Sequence, residues 1–250
     1  MSNLMLGKLP ARKDKRTLKL SSLLIASNLP PLLLLYDIDI VLAIIDTARY
    51  LNDLLGDCVE AGSAHAIQRF EKFECGTQPN LPDDDIRKQY FKETGGDDVG
   101  LVLLDHLNLW RKDGLDFGGR NYKIYAFASI HWKNHKEVSY AIQLLRGAYL
   151  GFQVPKFFMD GFEAGKRSFD VQCKNTRIEG GHCVYACAFN KTGPIIVTWG
   201  ARVQLTWKFW DKYVDEVYAI IDAPDPWINP ATDPIKIDVL KGYLNALSRN

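Results

Sequence analysis

Length, composition and charge describe a globular chain with no broad electrostatic preference. Of its 250 residues 47% are hydrophobic, which is ample for the core of one large domain or two small ones. The 31 Lys and Arg residues nearly balance the 30 Asp and Glu residues, so the net charge is +1. Such a chain offers no extended charged surface for nucleic acid or an anionic membrane, and we expect neither as a partner.

The first 46 residues are interpreted as an N-terminal arm. The first twenty residues carry six basic side chains against Asp14 alone, a composition typical of a solvated segment. A leucine-rich run follows, but two prolines and two aspartates interrupt it well before the roughly 20 apolar residues that a membrane-spanning helix needs. Its prolines favour an extended path, and no convincing signal-peptide cleavage site follows the basic stretch. We therefore expect an arm over residues 1–46 lying across one domain over residues 47–250 of a protein made in a cytoplasm.

The periodicity of apolar residues places helices early in the chain and strands late. From Cys58 onward apolar residues recur at spacings near 3.6, which predicts a helix of about four turns with Asp57 as its N-cap. Two further helices are predicted in the first half, over residues 86–94 and 99–114. The second half alternates strands with shorter helices: strands 122–130 and 148–154, the hairpin of 182–189 with 194–199, a last strand 216–222, and helices 135–147 (stopped by Gly147) and 203–214. Early helices and late antiparallel strands indicate an α+β fold with segregated layers.

The five cysteines, at positions 58, 75, 173, 183 and 187, are odd in number and contain no CxxC pair. A disulfide framework and a zinc ribbon are therefore both disfavoured, and we expect no metal and no cofactor. Cys183 and Cys187 lie four apart in a predicted strand and would share a core-facing side.

Cys58 has two interpretations. A lone cysteine at a helix start is more often a small buried apolar residue than a reactive one. A helix N-terminus nevertheless favours the thiolate through its unpaired N–H groups and dipole, which is where a nucleophile would be placed. A nucleophile also needs a base, and His182 opens a strand after two glycines that let another backbone approach closely.

These residues resemble the papain-like cysteine peptidases in type and order. In that family the nucleophile follows a glycine and begins the central helix, the histidine opens a strand, and an Asn-Ser-Trp-Gly motif follows. This chain has Gly-Asp-Cys at 56–58, Gly-Gly-His at 180–182 and Val-Thr-Trp-Gly at 197–200. Cys58 and His182 lie 124 positions apart, slightly fewer than the roughly 130 to 150 residues of papains.

The resemblance implies a papain-like α+β fold, a helical half plus an antiparallel β half, and thiol-dependent hydrolysis of peptide or isopeptide bonds in a peptide or protein substrate. Cys58 would be the nucleophile and His182 the base, while Asn52, six residues before the cysteine, would supply an oxyanion-binding amide. Val197 stands where the family has the asparagine that orients the histidine. Thr198 is the alternative for that role, because neighbouring strand residues cannot both face His182.

The arm, the block Asn-Asp-Leu-Leu-Gly-Asp-Cys at 52–58 and the downstream Val-Thr-Trp-Gly also resemble papain-like proteins of tailed bacteriophages and prophages. This similarity implies a second hypothesis, a catalytically degenerate papain-like fold that is a structural or attachment component of a phage virion. Its arm would then contact other virion proteins, and the protein would reside in the cytoplasm of a bacterial host or in the virion.

Overall fold

The computed structural model describes residues 4–222 and 234–247. Its helices are α1 (Leu20–Leu23), α2 (Ile38–Leu42), α3 (Cys58–Cys75), α4 (Asp83–Thr94), α5 (Leu103–Lys112), α6 (His135–Leu145), α7 (Lys156–Glu163), α8 (Trp207–Tyr213) and α9 (Ile237–Leu247). Its strands are β1 (Tyr36–Asp37), β2 (Leu115–Phe117), β3 (Arg120–Tyr122), β4 (Ala126–Ile130), β5 (Ala148–Pro155), β6 (Ser168–Phe169), β7 (Ile178–Phe189), β8 (Pro194–Thr198), β9 (Ala201–Leu205) and β10 (Val214–Ile221). The predicted α+β class is confirmed. No helix in the described parts of the chain is long and apolar enough to span a membrane.

Most strands of one large sheet come from the second half of the chain, in the order β4-β10-β5-β7-β8-β9-β6, and β1 from the N-terminal region pairs with β7. Its pairings are antiparallel except for β6 with β9, and β2 and β3 form a separate hairpin. The central strand β7 pairs with β5 on one side and β8 on the other. The predicted hairpin of β7 and β8 is thus confirmed.

The two core clusters lie on opposite sides of β7. Cys183, Tyr185 and Cys187 point into the cluster shared with α3, α4 and α5. Val184 and Ala186 point into the cluster built from the sheet and the helices α6 to α8. Alternation along the strand therefore sets β7 at the junction between a helical half and a β half.

Helix α3 was predicted closely, whereas two other helices were predicted too long. Residues 99–102 are not helical, and Leu101 instead forms a β-bridge with Lys8 of the arm. Ala201–Leu205 pairs with β8 as strand β9, and the helix begins only after Thr206, whose hydroxyl accepts the Phe209 N–H at 3.0 Å. In both segments pairing with a distant strand overrides the local helical pattern.

The C-terminal end of α6 and the N-terminal end of α3 were predicted near the right positions, but other interactions than the expected ones form them. The left-handed residue after α6 is Arg146, at φ 69°, and not Gly147. Gly147 is instead required for space, because a Cβ there would overlap the Tyr185 ring. Asp57 occupies the N-cap position of α3, as predicted, but its side chain makes no capping hydrogen bond.

Candidate active site

Cys58 is the first residue of α3 and is completely buried between the two halves. Its sulfur accepts the backbone N–H of Cys183, the residue after His182, at 3.3 Å. Burial raises the pKa of the thiol to about 12, although the amides of Cys183 and Gly7 both oppose the rise. In this arrangement Cys58 is therefore a neutral thiol.

His182 is the fifth residue of β7, which begins at Ile178 and not at the histidine as predicted, and two side chains hold its ring. Its Nε2 lies 2.7 Å from the Thr198 hydroxyl, and the Trp199 indole stacks on the ring with centroids 4.2 Å apart. Burial lowers the pKa of the imidazole to about 3, which keeps it neutral. When Nε2 carries the proton and the Thr198 hydroxyl accepts it, Nδ1 keeps its lone pair. Nδ1 makes no hydrogen bond to any residue in the described ranges.

Thr198, and not Val197, makes the hydrogen bond to His182. Val197 is buried in the cluster that faces α3, with its Cα opposite Tyr185 of β7. Thr198 ends β8 on the other face, where its hydroxyl reaches His182. A hydroxyl one residue downstream thus makes the contact that the position of Val197 cannot make.

Asn52 is buried in the loop before α3, and its amide is engaged locally. Its Nδ2 donates to the Leu55 carbonyl at 3.1 Å, and its own backbone carbonyl accepts the Met5 N–H at 3.1 Å. Beside it the Asp57 carboxyl is fully buried, and burial raises its pKa to about 8. The Asn52 amide therefore supports the loop in this state, and its oxyanion role stays a prediction.

The arm runs through the cleft above Cys58 and pairs with both walls. The Lys8 N–H donates to the Gly181 carbonyl at 3.1 Å on the β wall. On the helical wall the Leu9 N–H donates to the Leu101 carbonyl at 2.9 Å, and the Leu101 N–H donates to the Gly7 carbonyl at 2.8 Å. The arm thus bridges the two halves through isolated β-bridges at Lys8, and it contributes to the burial of the thiol.

Glycines make this close approach possible. A Cβ on Gly7 would overlap the Gly56 carbonyl, and a Cβ on Gly181 would overlap the Lys8 carbonyl. The Gly180-Gly181 pair was interpreted as a place where a backbone could come close, and the arm is the backbone that does so. Sequence reasoning missed the arm residues Gly7 and Lys8 as parts of the site, although a Gly-Lys pair inside an extended segment is a weak signal for such a contact.

A buried polar network links α3, α4 and α5 away from the cleft. His106 Nδ1 lies 3.2 Å from a Glu93 oxygen and 3.5 Å from a Glu60 oxygen, and the side chains are at most 5% exposed. Burial raises the pKa of Glu60, whereas His106 holds the pKa of Glu93 down at about 2. Among the described residues this group has the spacing of a metal site. We assign it a structural role, because its members are buried and contact one another.

The fold is that of the papain-like cysteine proteases. The chain is similar to xylellain, a cysteine protease from Xylella fastidiosa, with a TM-score of 0.71 over 89% of this chain and 97% of that one, at 16% identity. It is also similar to procathepsin B S9 from Trypanosoma congolense, with a TM-score of 0.61, 11% identity and coverage of 88% and 87%. The Carica candamarcensis protease CMS1MS2, in complex with E-64, gives a TM-score of 0.56 at 13% identity over 76% of this chain and 99% of that one. No protein-family model matches the sequence, and no curated protein sequence is detectably similar to it.

Proposed function

We propose that the chain is a papain-like thiol hydrolase of peptide or isopeptide bonds, held latent by its own arm. The observation that carries the proposal is the support of His182 by Thr198 and Trp199 at the strand that lies against Cys58. One nitrogen of His182 lies on the Thr198 hydroxyl, and the other has no hydrogen-bond partner among the described residues, so Nδ1 is the atom left to take a proton once solvent relieves the burial that lowers the pKa of the ring. The papain-like fold of the chain supports the same chemistry.

Displacement of the arm starts the proposed reaction. Water then reaches the cleft, and the pKa of the Cys58 thiol falls because its burial is the main cause of the rise. The N-terminus of α3 stabilises the resulting thiolate. In the closed chain His182 Nδ1 makes no hydrogen bond to the Cys58 thiol, so the proposed opening also brings these two side chains together. His182 Nδ1 then takes the thiol proton, and Thr198 keeps the imidazolium that forms in orientation.

The chemistry then follows two displacements. The Cys58 sulfur attacks the substrate carbonyl carbon, and the backbone N–H of Cys58, with the Asn52 amide once it turns from Leu55, stabilises the oxyanion. The carbon–nitrogen bond breaks as His182 returns its proton to the departing amine, which leaves a thioester on Cys58. Water, deprotonated by His182, attacks the thioester and releases a carboxylic acid and the free thiol.

A non-catalytic role is the second candidate, and the complete burial of Cys58 favours it. In this case the arm would be a permanent strand of the fold, and the chain would serve as a structural or attachment component of a phage virion. Association with a phage, and residence in a bacterial cytoplasm or a virion, stay hypotheses. Mass spectrometry of purified particles tests them, and absence of the protein from the particles rejects the virion role.

The experiment for the hydrolase compares Cys58→Ala with Cys75→Ala, a matched control in which an exposed cysteine is removed. Both changes are made in a full-length chain that also carries Gly7→Ala, which displaces the arm by overlap with Gly56. We expect the Cys75→Ala chain to cleave a denatured protein mixture and the Cys58→Ala chain to lose that cleavage. Equal cleavage in the two chains, or none in either although the Gly7→Ala arm is shown to be open, refutes the hydrolase.

A further inference from the structure

Lys8 places its side chain in an acidic pocket of the cleft. Its Nζ lies 3.0 Å from Asp215 Oδ2 and 3.0 Å from Glu216 Oε1, and the lysine side chain is 0% exposed. Nζ also donates to the Leu9 carbonyl at 3.3 Å. A lysine is almost never fully buried unless its charge is paired, so this pocket is specific in its chemistry.

The two carboxylates reach one cation because β10 is irregular at this point. Consecutive residues of a regular strand point to opposite faces, so Asp215 and Glu216 would diverge. The pairing of β10 with β5 shifts register between Val214 and Glu216. A bulge of this kind re-aims a side chain and commonly does so beside functional sites.

The strand beside the carboxylates leaves room for the aliphatic part of a lysine side chain. Gly151 of β5 pairs with Glu216, and a Cβ on Gly151 would overlap Cδ and Cε of Lys8. The missing side chain therefore opens a channel along which an unbranched aliphatic stem can reach the acids. The Gly181 carbonyl holds the backbone at the mouth of the channel, where it accepts the Lys8 N–H.

The sheet holds the acids in place independently of the arm. Gln153 donates from Nε2 to Asp215 Oδ2 at 2.6 Å, and the Tyr218 hydroxyl donates to Glu216 Oε2 at 3.1 Å. Burial raises the pKa of Glu216, and Lys8 opposes that rise. The pocket is therefore preformed, and without Lys8 it presents two adjacent carboxylates, Glu216 buried and Asp215 partly exposed, with which a second cation would pair.

The arm fills this pocket without presenting a bond for cleavage. The Gly7 amide faces the Cys58 sulfur and lowers the pKa of the thiol, while the Gly7 carbonyl is held by the Leu101 N–H on the helical wall. The adjacent Lys8 N–H is held by Gly181 on the other wall. The carbonyl next to the lysine thus points away from the sulfur, which lets the arm occupy the cleft uncut.

We propose that the pocket of Gly151, Asp215 and Glu216 is the specificity pocket of the cleft, and that it selects peptides carrying a lysine side chain. The inference rests on the proposed function for its biological meaning, because it names the substrate class of that site. In the resting chain Lys8 takes the place of the substrate lysine. The substrate lysine enters when the arm leaves, with its backbone N–H on the Gly181 carbonyl.

A binding titration tests the pocket without relying on catalysis. The protein is the full chain with Lys8→Ala, which empties the pocket, and the probe is fluorescein-labelled Leu-Gly-Lys-Leu-Pro-amide, the sequence of residues 6–10. A second peptide replaces its lysine by norleucine, which keeps an unbranched aliphatic stem and removes the charge. Fluorescence anisotropy is expected to show the lysine peptide binding roughly tenfold or more tighter than the norleucine peptide. An arginine peptide, whose charged group is larger, is expected to fall between them.

Two acid-to-amide variants test whether the preference for the lysine peptide comes from the pocket. Glu216→Gln in the Lys8→Ala chain is expected to abolish the preference for lysine, whereas Glu163→Gln, at an exposed glutamate on α7, leaves it intact. If Lys8→Ala does not fold by circular dichroism, Gly7→Ala carries the same titration, because it dislodges the arm at the neighbouring residue. Equal binding of the lysine and norleucine peptides would refute the proposal that the pocket selects lysine.

The outcomes for pocket and catalysis are separable. If the chain prefers the lysine peptide but cleaves nothing, the lysine-binding pocket is supported and the hydrolase function is refuted. If the chain cleaves peptides with no preference for lysine over norleucine, the hydrolase function is supported and the lysine-binding pocket is refuted. Both measurements use the same protein samples, so a difference between them is not a difference in folding.

Discussion

Replacing Lys8 by methionine is expected to open the arm and expose Cys58. The substitution keeps an unbranched stem but removes the charge that pairs with Asp215 and Glu216 at 3.0 Å each. Loss of one partner from a buried ion pair costs about 3 to 5 kcal/mol. The cost falls on the docked arm alone, because water solvates the carboxylates once the arm has left. The open population should therefore rise roughly 100- to 4,000-fold.

Alkylation by iodoacetamide, followed by mass spectrometry of the peptides, measures this opening. Cys58 is fully buried, and Cys75 is exposed and serves as an internal reference in the same sample. If Cys58 reacts only from open states, its rate relative to Cys75 should rise with the open population until every molecule is open. Lys13→Met is the matched control, since Lys13 is an exposed lysine of the same arm.

The reasoning is refuted if Lys8→Met and Lys13→Met alkylate Cys58 at the same rate. Such a result would mean that the ion pair does not hold the arm or that the arm does not control access to the thiol. Hydrogen exchange at the Lys8 and Leu9 amides, which donate to the two walls in the docked state, distinguishes these causes. Faster exchange with unchanged alkylation points to the second.

Three further predictions concern the cleft and its surroundings. Gly7→Ala should abolish protection of the arm amides from hydrogen exchange, because its Cβ overlaps the Gly56 carbonyl; retained protection contradicts the docking geometry. Thr198→Val should lower kcat of an arm-released chain roughly tenfold with little change in KM, because His182 loses its orienting hydroxyl, and steady-state kinetics showing an unchanged kcat would rule out that role. Burial raises the pKa of Asp57 from 3.8 to about 8, so the folded chain retains a proton that the unfolded chain has lost between these values, and the free energy of unfolding falls as pH rises by up to about 1.4 kcal/mol per pH unit. Asp57→Asn should make that decline shallower in urea titrations at pH 5 and pH 8, while Glu60 and Asp222, whose pKa values burial also raises, keep their own contributions. An unaltered pH dependence would argue against a buried neutral carboxyl at Asp57.

Local pattern accounts for the parts of the fold that were predicted well. The 3.6-residue periodicity after Cys58 places α3, and alternation with a turn places the β7–β8 hairpin. The same alternation rule predicted that Val197 and Thr198 face different sides. Which of the two reaches His182 depends on the packing of β8 against β7, which lies beyond the reach of local pattern.

The sequence by itself determined the α+β class, the start of the Cys58 helix and the glycine pair before His182, because each rests on neighbouring residues. Tertiary structure alone decided the state of the site. The acidic pocket joins Lys8 to Asp215 across 207 positions of the chain, and it exists only because β10 is irregular beside β5. The burial that keeps Cys58 a neutral thiol comes from packing against β7 and the arm. Such contacts depend on backbone pairing between segments that are distant in sequence, and neither local hydrophobic periodicity nor local propensity specifies that pairing.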